Sequence, residues 1–261
     1  MVKYSPAEKI AEQKEERKRA YQNEVCLRPN QLSAVKRFLL SQAKTSRIAE
    51  LGAGGGHVSF WLLKQGFSDI SCVDIDNYLT YPEINAKFLQ CDLSRDKLPF
   101  NDSSLDGIIA IEVIEHLENM VWCFNEISRT LKTGGWFLMA IPNAANLRRR
   151  IDFLRKGDGL LVSEKNDHLQ NITHSLVKKL AKEHFGDTRC ALLRYPVLFP
   201  FLRFKLPYID LLADNKIYVI TKQSEKNRDG NREIYTMNSG GGSETRLTNN
   251  TAEDMNPDWK P

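Results

Sequence analysis

The sequence has few cysteines and no cysteine pattern: Cys26, Cys72, Cys91, Cys123 and Cys190 contain no C-x-x-C pair. That spacing leaves out the usual zinc and disulfide-exchange motifs, and an odd count argues against a complete disulfide framework. Three of the five sit inside apolar runs, as small buried hydrophobes in a reducing compartment do. Long apolar runs are missing too. None reaches the ~20 residues needed to span a bilayer. The nearest, 191–213, is broken by Arg194, Pro196, Pro200, Arg203, Lys205 and Pro207. The opening "MVKYSPAEKIAEQKEERKRA" has no apolar core of the secretory kind. Nor is there a strong excess of one charge: 37 Lys and Arg stand against 33 Asp and Glu, a net of +4. A nucleic-acid binder usually concentrates basic residues more heavily. These absences predict a cytoplasmic protein without a transmembrane segment.

What is present is a 41 % apolar chain of 261 residues, enough for one large α/β domain with an appendage. Residues 7–22 are densely charged with both signs, which predicts an exposed helix or arm within 1–27. Helical spacing follows over 30–42, 58–66, 119–132 and 173–186, with glycines placed to stop several of these helices. Strand signals lie between them at 47–51, 69–76, 87–93, 105–113, 135–142, 189–196 and 215–223. Such alternation predicts a mostly parallel seven-stranded sheet with helices on both faces. The 105–113 run is almost wholly apolar at its centre, as a strand covered on both sides should be. Sheets of this kind bind ligands beyond the carboxyl ends of their strands. Glu50, Asp74, Asp92 and Glu112 all stand at or near such ends, so the sheet would gather four acids into one cluster.

The stretch "ELGAGGGHV" (50–58) is a strand, a glycine turn and a helix start. Two common readings fail on its residues. The nicotinamide fingerprint begun at Gly52 needs a small residue at position 57, where His57 stands, and the phosphate loop ending in G-K-S/T is absent. The pattern present is E-x-G-x-G-x-G: Glu50, Gly52, Gly54, Gly56. On these motifs and their order, the chain resembles the Rossmann-like, class I methyltransferases that use S-adenosylmethionine. The resemblance spans roughly 28–222 and implies a methyltransferase domain over 28–223. It implies that the glycine loop lies against the methionine part of the cofactor, with Glu50 supporting loop and ammonium. Asp74, closing "CVDID", matches the acid that takes both ribose hydroxyls, with Ile75 beside it. Asp92 in "CDL" matches the partner of the adenine amino group, with Leu93 alongside. A carboxylate suits the ribose because it accepts two hydrogen bonds and disfavours a 2′-phosphate.

The segment "AIEVIEHLEN" (110–119) ends an apolar run in Glu112, Glu115 and His116. If Glu112 begins a helix, these three share one face at i, i+3 and i+4. Three readings stay open. Glu112 lines the cofactor site while the others brace the loop; or His116, with Glu115, is the general base for an acceptor hydroxyl; or a divalent metal binds. E-x-x-E-H resembles the motif of ubiquinone-pathway O-methyltransferases and of methyltransferases acting on the terminal 2′-hydroxyl of small RNAs. The latter resemblance implies Glu112, Glu115, His116 and His168 as ligands for Mg²⁺, Mn²⁺ or Zn²⁺.

"NLRRRIDFLRKGDG" (146–159) occupies a usual lid position of the family. Arg148, Arg149, Arg150, Arg155 and Lys156 are candidates for a phosphate or acidic sugar, or form a solvated basic face. The stretch 195–208 is core, an acceptor wall, or a dimer or membrane-surface contact. From about Ser224 the composition turns polar, and 230–261 resembles a single TolB-type β-propeller repeat. One repeat cannot cover its own apolar face. The expectation is a weakly ordered tail outside catalysis. The reading as a whole is O-methylation of a small molecule or of an envelope sugar or lipid precursor. The alternatives are a metal-dependent RNA 2′-O-methyltransferase and a non-catalytic scaffold or binder that keeps the cofactor fold.

Overall fold

The computed structural model describes residues 27–157, 162, 168–186, 190–195 and 209–223, with the backbone of two-residue strands at 197–198, 205–206, 235–236 and 245–246. In chain order, α1 (Pro29–Leu40) precedes β1 (Ile48–Leu51) and α2 (His57–Lys64). Next, β2 (Ile70–Asp74) leads through a 3-10 turn at Pro82–Lys87 to β3 (Phe88–Gln90). After β4 (Leu105–Ile111) and a second 3-10 turn at Ile114–His116 come α3 (Met120–Thr130) and β5 (Leu131–Pro142). The chain continues with α4 (Leu147–Lys156), α5 (His174–Phe185) and β6 (Cys190–Leu192). The short β7 (Val197–Leu198) and β8 (Lys205–Leu206) pair with each other, and β9 (Asn215–Thr221) returns to the main sheet.

The main sheet has seven strands in the order β3-β2-β1-β4-β5-β9-β6. Strands β1 to β5 run parallel, and β9 lies antiparallel to both β5 and β6. This is the expected α/β, Rossmann-like, mostly parallel fold. Alternate residues of each strand feed opposite layers. Ala49, Leu51, Ile108, Ala110, Phe137 and Met139 pack with Phe124 and Ile127 of α3 and with Val177, Leu180 and Phe185 of α5. Ile48, Ile109, Leu138 and Ala140 pack on the other face with Val35 and Leu39 of α1 and Val58 and Leu62 of α2. Asn119, Asn146 and Thr173 begin α3, α4 and α5 by accepting from the backbone N–H three residues on, the usual N-cap arrangement. Cys72, Cys91 and Cys123 are buried free thiols. Burial pushes Cys72 and Cys123 up to about 12 and Cys91 to about 11, so they are unreactive packing residues.

Two of the boundaries that differ from the sequence reading have a clear physical cause. The helix expected over 119–132 stops at Thr130, and β5 begins at Leu131. Gly134 and Gly135 therefore lie inside a strand: the Gly134 N–H donates to the Lys222 carbonyl, and the Gly135 carbonyl accepts from the Lys222 N–H. Pairing the buried Leu131 with Leu105 outweighs the local helix signal. Likewise β4 stops at Ile111, because Glu112 turns left-handed with φ 54°.

Strand order locates the crevice. The chain winds outward from β1 to β3, then returns to place β4 on the other side of β1. Loops leaving β1 and β4 therefore diverge, and a ligand crevice opens between them. Among the described residues no helix is long and apolar enough to cross a membrane. The arm at 1–26 and the tail from 224 fall outside the described residues, as does the propeller-like stretch. The exception is Tyr235–Thr236 (β10), which pairs antiparallel with Thr245–Arg246 (β11).

Candidate active site

The turn after β1 carries three left-handed glycines, Gly52, Gly54 and Gly56. At Gly52 two constraints coincide. Its φ is 61°, and a Cβ there would stand 2.4 Å from Val113 Cγ2. Only glycine satisfies both the backbone hand and the close approach. Gly56 is the N-cap of α2 and has no side chain to cap with. Glu50 takes that role from the preceding strand: its Oε2 accepts from the Ser59 backbone N–H at 2.9 Å and from Ser59 Oγ at 2.5 Å. The expected loop-supporting acid thus fastens the helix that the loop enters.

Burial pushes the Glu50 carboxyl up to about 7; the two Ser59 bonds pull it back and the Asp74 charge adds to the rise. The folded value lies above the ordinary one, so its contribution to stability is full below about pH 4.5 and is lost as pH rises through about 7. Glu50→Gln keeps an acceptor for Ser59 and removes the ionisation. Thermal unfolding across pH 5 to 8 is expected to show this variant gaining roughly 2–3 kcal/mol on the wild type. A difference that stays flat with pH would refute the assignment.

Asp74 ends β2 with both oxygens oriented by backbone: Oδ2 accepts from the Gly54 N–H at 2.8 Å and Oδ1 from the Ile75 N–H at 2.7 Å. A carboxylate oxygen can accept more than one hydrogen bond, so these backbone bonds are compatible with binding a ligand hydroxyl. Asp92 Oδ1 accepts from the Ser94 N–H at 2.9 Å, which holds the turn after β3. A cavity of about 510 Å³ is walled by Glu50, Gly52, Gly54, Asp74, Ile75, Asp92, Leu93, Glu112 and His116. Thus the four strand-end acids meet at one crevice. Gly56, Glu115 and His168 are not part of its wall.

The expected helix beginning at Glu112 is not formed. Glu112 is a left-handed residue whose N–H donates to the Ala140 carbonyl, and the following helical turn is a 3-10 turn of three residues starting at Ile114. The side chains converge by another route. Glu112 Oε1 accepts from Asn215 Nδ2 at 2.7 Å, and its carboxyl lies beside that of Glu115. Burial, then the adjacent Glu115 charge, pushes the Glu112 carboxyl well above the usual carboxylate range. Glu115 is fully buried. Its carbonyl accepts from the Leu169 N–H at 2.9 Å, and Gln170 Nε2 donates to the Leu117 carbonyl at 2.8 Å. These bonds lay the 168–170 segment across the turn. They bring the His168 ring to 4.7 Å from that of His116, centroid to centroid, at 66°.

One ligand atom each from Glu115, His116 and His168 falls within 4.8 Å of the others. One carboxylate and two imidazoles fit a divalent cation by donor type. Glu112, the fourth ligand implied by resemblance, is outside this group and lies at its edge. Of the basic run, Arg149 is half-buried and lies in the electrostatic field of Glu112 and Asp214. Arg148, Arg150 and Arg155 are exposed.

Two residues at the site carry no expectation from sequence. Asn215 holds Glu112 from a position 103 residues away, and nothing local marks it. His57 lines the cavity and pairs through Nδ1 with the Tyr81 hydroxyl at 2.7 Å. Its signal was its place at the first position of α2.

Fold and crevice together show a Rossmann-like α/β architecture with a ligand crevice at the carboxyl ends of its strands. Residues 49–139 match the methyltransferase-domain family. Among curated proteins, the chain is 29 % identical over 141 residues to a sterol 24-C-methyltransferase of Gibberella zeae, covering 47 % of this chain and 36 % of that one. It is 36 % identical over 72 residues to cycloartenol-C-24-methyltransferase 1 of Oryza sativa subsp. japonica, covering 24 % of this chain and 21 % of that one. The chain thus spans about a third or less of the length of these relatives. Among solved structures, 1,6-didemethyltoxoflavin-N1-methyltransferase of Burkholderia thailandensis superposes with a TM-score of 0.55 at 16 % identity, over 86 % of this chain and 93 % of that one. A SAM-dependent methyltransferase of Archaeoglobus fulgidus gives 0.54 at 13 % identity, over 74 % and 94 %. At such identities the superpositions establish the shared fold.

Proposed function

We propose that this protein moves the methyl group of S-adenosylmethionine to an oxygen of a small-molecule, sugar or lipid-precursor acceptor. One observation carries the proposal: Glu50, Asp74, Asp92 and Glu112, from four successive strand ends, wall one cavity that starts at a left-handed glycine turn. Glycine gives a ligand close access to the backbone, and carboxylates suit a cation, a diol and an exocyclic amine in turn. The Burkholderia thailandensis neighbour, solved with bound S-adenosylhomocysteine and a small heterocycle, supports the cofactor and the size of acceptor.

The cofactor supplies a methyl group already activated on a sulfonium. The chain's share is alignment and desolvation. In this reading Glu50 and the glycine turn hold the amino-acid end, and Asp74 and Ile75 hold the ribose. Asp92 and Leu93 hold the base, and Glu112 closes the crevice toward the acceptor. His116, with Glu115 behind it, removes the acceptor proton. A second reading uses the same pair with His168 to bind Mg²⁺, Mn²⁺ or Zn²⁺, which would lower the pKa of the acceptor hydroxyl; the convergence of the three ligand atoms favours it. A metal-dependent RNA 2′-O-methyltransferase and a non-catalytic scaffold remain the competing functions. The tail from 224 is proposed to stand outside catalysis, since the described residues that wall the cavity all lie within 50–169.

Mass spectrometry of sugar, quinone-like and RNA pools with a labelled methyl donor, with and without chelator, tests both readings. Labelled small-molecule product that survives chelation supports His116 as base. Loss of product on chelation, with restoration by one cation, supports the metal. Product confined to RNA selects the competing enzyme, and no cofactor binding by calorimetry ends the proposal.

A further inference from the structure

Helix α4 meets the rest of the domain with its polar side. None of its described side chains is buried, and the half-buried positions are Arg149 and Asp152. Leu147, Ile151 and Leu154, spaced i, i+4 and i+7, form an opposite stripe and are 41 %, 46 % and 83 % exposed. At about 100° per residue, Arg148 and Arg155 run along one edge of this stripe and Arg150 along the other. A helix that packs on a core does the reverse, with its apolar stripe inward. The aliphatic surface continues past the helix. The Leu147 N–H donates to the Leu211 carbonyl at 2.7 Å, which ties the turn bearing the exposed Ile209 and Leu211 to the first turn of α4. Leu147, Ile151, Arg148, Arg155 and Leu211 line a groove of about 410 Å³ between the two.

We infer that α4 and the 209–212 turn form a docking surface for an anionic lipid bilayer. The aliphatic stripe enters the boundary between headgroups and acyl chains, while Arg148, Arg150 and Arg155 pair with lipid phosphates. Arginine suits this position because its stem covers apolar surface and its planar head binds phosphate oxygens. Charge decides among occupants. Residues 147–156 contain Arg148, Arg149, Arg150, Arg155 and Lys156 against the lone acid Asp152, and the neighbouring acids Asp210 and Asp214 are ion-paired to Lys216 and Arg28, so a second copy presenting the same helix meets like charge. Nucleic acid would engage the guanidinium groups and leave the leucine stripe in water. An anionic bilayer engages both at once.

The inference goes beyond methyl transfer and does not require it. Helix α4 follows β5, which pairs with β4, the strand that leads into Glu112 at the crevice, so docking would hold the crevice near the lipid surface, where a membrane-held acceptor is presented.

Flotation of the full chain with phosphatidylcholine vesicles, with and without phosphatidylglycerol, tests it. Binding is expected with the anionic vesicles, little with the neutral ones, and less as salt rises. Arg148→Glu combined with Arg155→Glu, and separately Leu154→Asp, should each weaken vesicle binding about tenfold or more. Lys182→Glu, on the exposed side of α5, should leave it unchanged. Equal binding to neutral vesicles, indifference to these variants, or displacement of vesicles by single-stranded RNA would overturn the inference. Circular dichroism and S-adenosylhomocysteine calorimetry on each variant separate loss of this surface from loss of fold or of cofactor binding.

Discussion

Gly52→Ala is expected to destabilise the domain by roughly 2–5 kcal/mol and to abolish measurable cofactor binding. Two costs add. An L-residue at φ 61° pays about 1–2 kcal/mol for the left-handed backbone. Forcing a methyl group to 2.4 Å from Val113 Cγ2 adds overpacking, typically about 1–3 kcal/mol. The chain relieves the clash by pushing Val113 away, and Val113 precedes the turn bearing Glu115 and His116. Distortion therefore reaches both walls of the crevice. Adding Val113→Ala removes both Cγ atoms and should recover the steric share while leaving the backbone share. Gly66 is the internal control: its φ is 89°, but a Cβ there meets nothing within 4 Å, so Gly66→Ala should cost only the backbone share. Urea unfolding of these three variants checks this, and a Gly52→Ala protein as stable as Gly66→Ala would refute the close approach.

Asp74→Ala is expected to weaken S-adenosylhomocysteine binding by about 100- to 10,000-fold while the domain stays folded. The carboxylate does two things in the proposed role. It accepts from Gly54 and Ile75, which fixes the glycine turn against β2, and it receives the ribose hydroxyls. Hydrogen bonds to a charged group contribute about 1.5–3 kcal/mol each, and losing the ligand pair together with the turn's anchor gives the stated range. The fold survives because Asp74 is half-exposed at the crevice rim, outside both hydrophobic layers. Asp74→Asn should fall in between: one oxygen still accepts, but the amide turns a donor toward the other backbone N–H. Calorimetry with circular dichroism on the same samples reads both quantities. Near-wild-type affinity in Asp74→Ala would mean that the cavity is not the cofactor cavity.

Much of this was legible along the chain. Strands at 48–51, 70–74 and 105–111 announced themselves as apolar runs ending in an acid or a glycine, because a strand buried on both faces has no room for polar side chains until it reaches the sheet edge. Where local signals competed, the sequence misled. Gly134 and Gly135 read as a helix stop, yet they lie in β5, since Leu131 is drawn into the sheet by its pairing with Leu105. Glu112, Glu115 and His116 read as one helical face, yet Glu112 takes a left-handed turn and the two carboxyls come side by side without a shared helix.

The sequence by itself determined the alternation of strands and helices, the glycine turn, and the acids at the strand ends, for each is written in neighbouring residues whose spacing matches a local repeat. Tertiary structure alone decided that β9 enters antiparallel beside β5 and so delivers Asn215 to Glu112. It also decided that backbone bonds to the 114–117 turn carry His168 to His116. Those meetings depend on how two apolar layers close over one sheet, and no local periodicity encodes which distant residues that closure brings together.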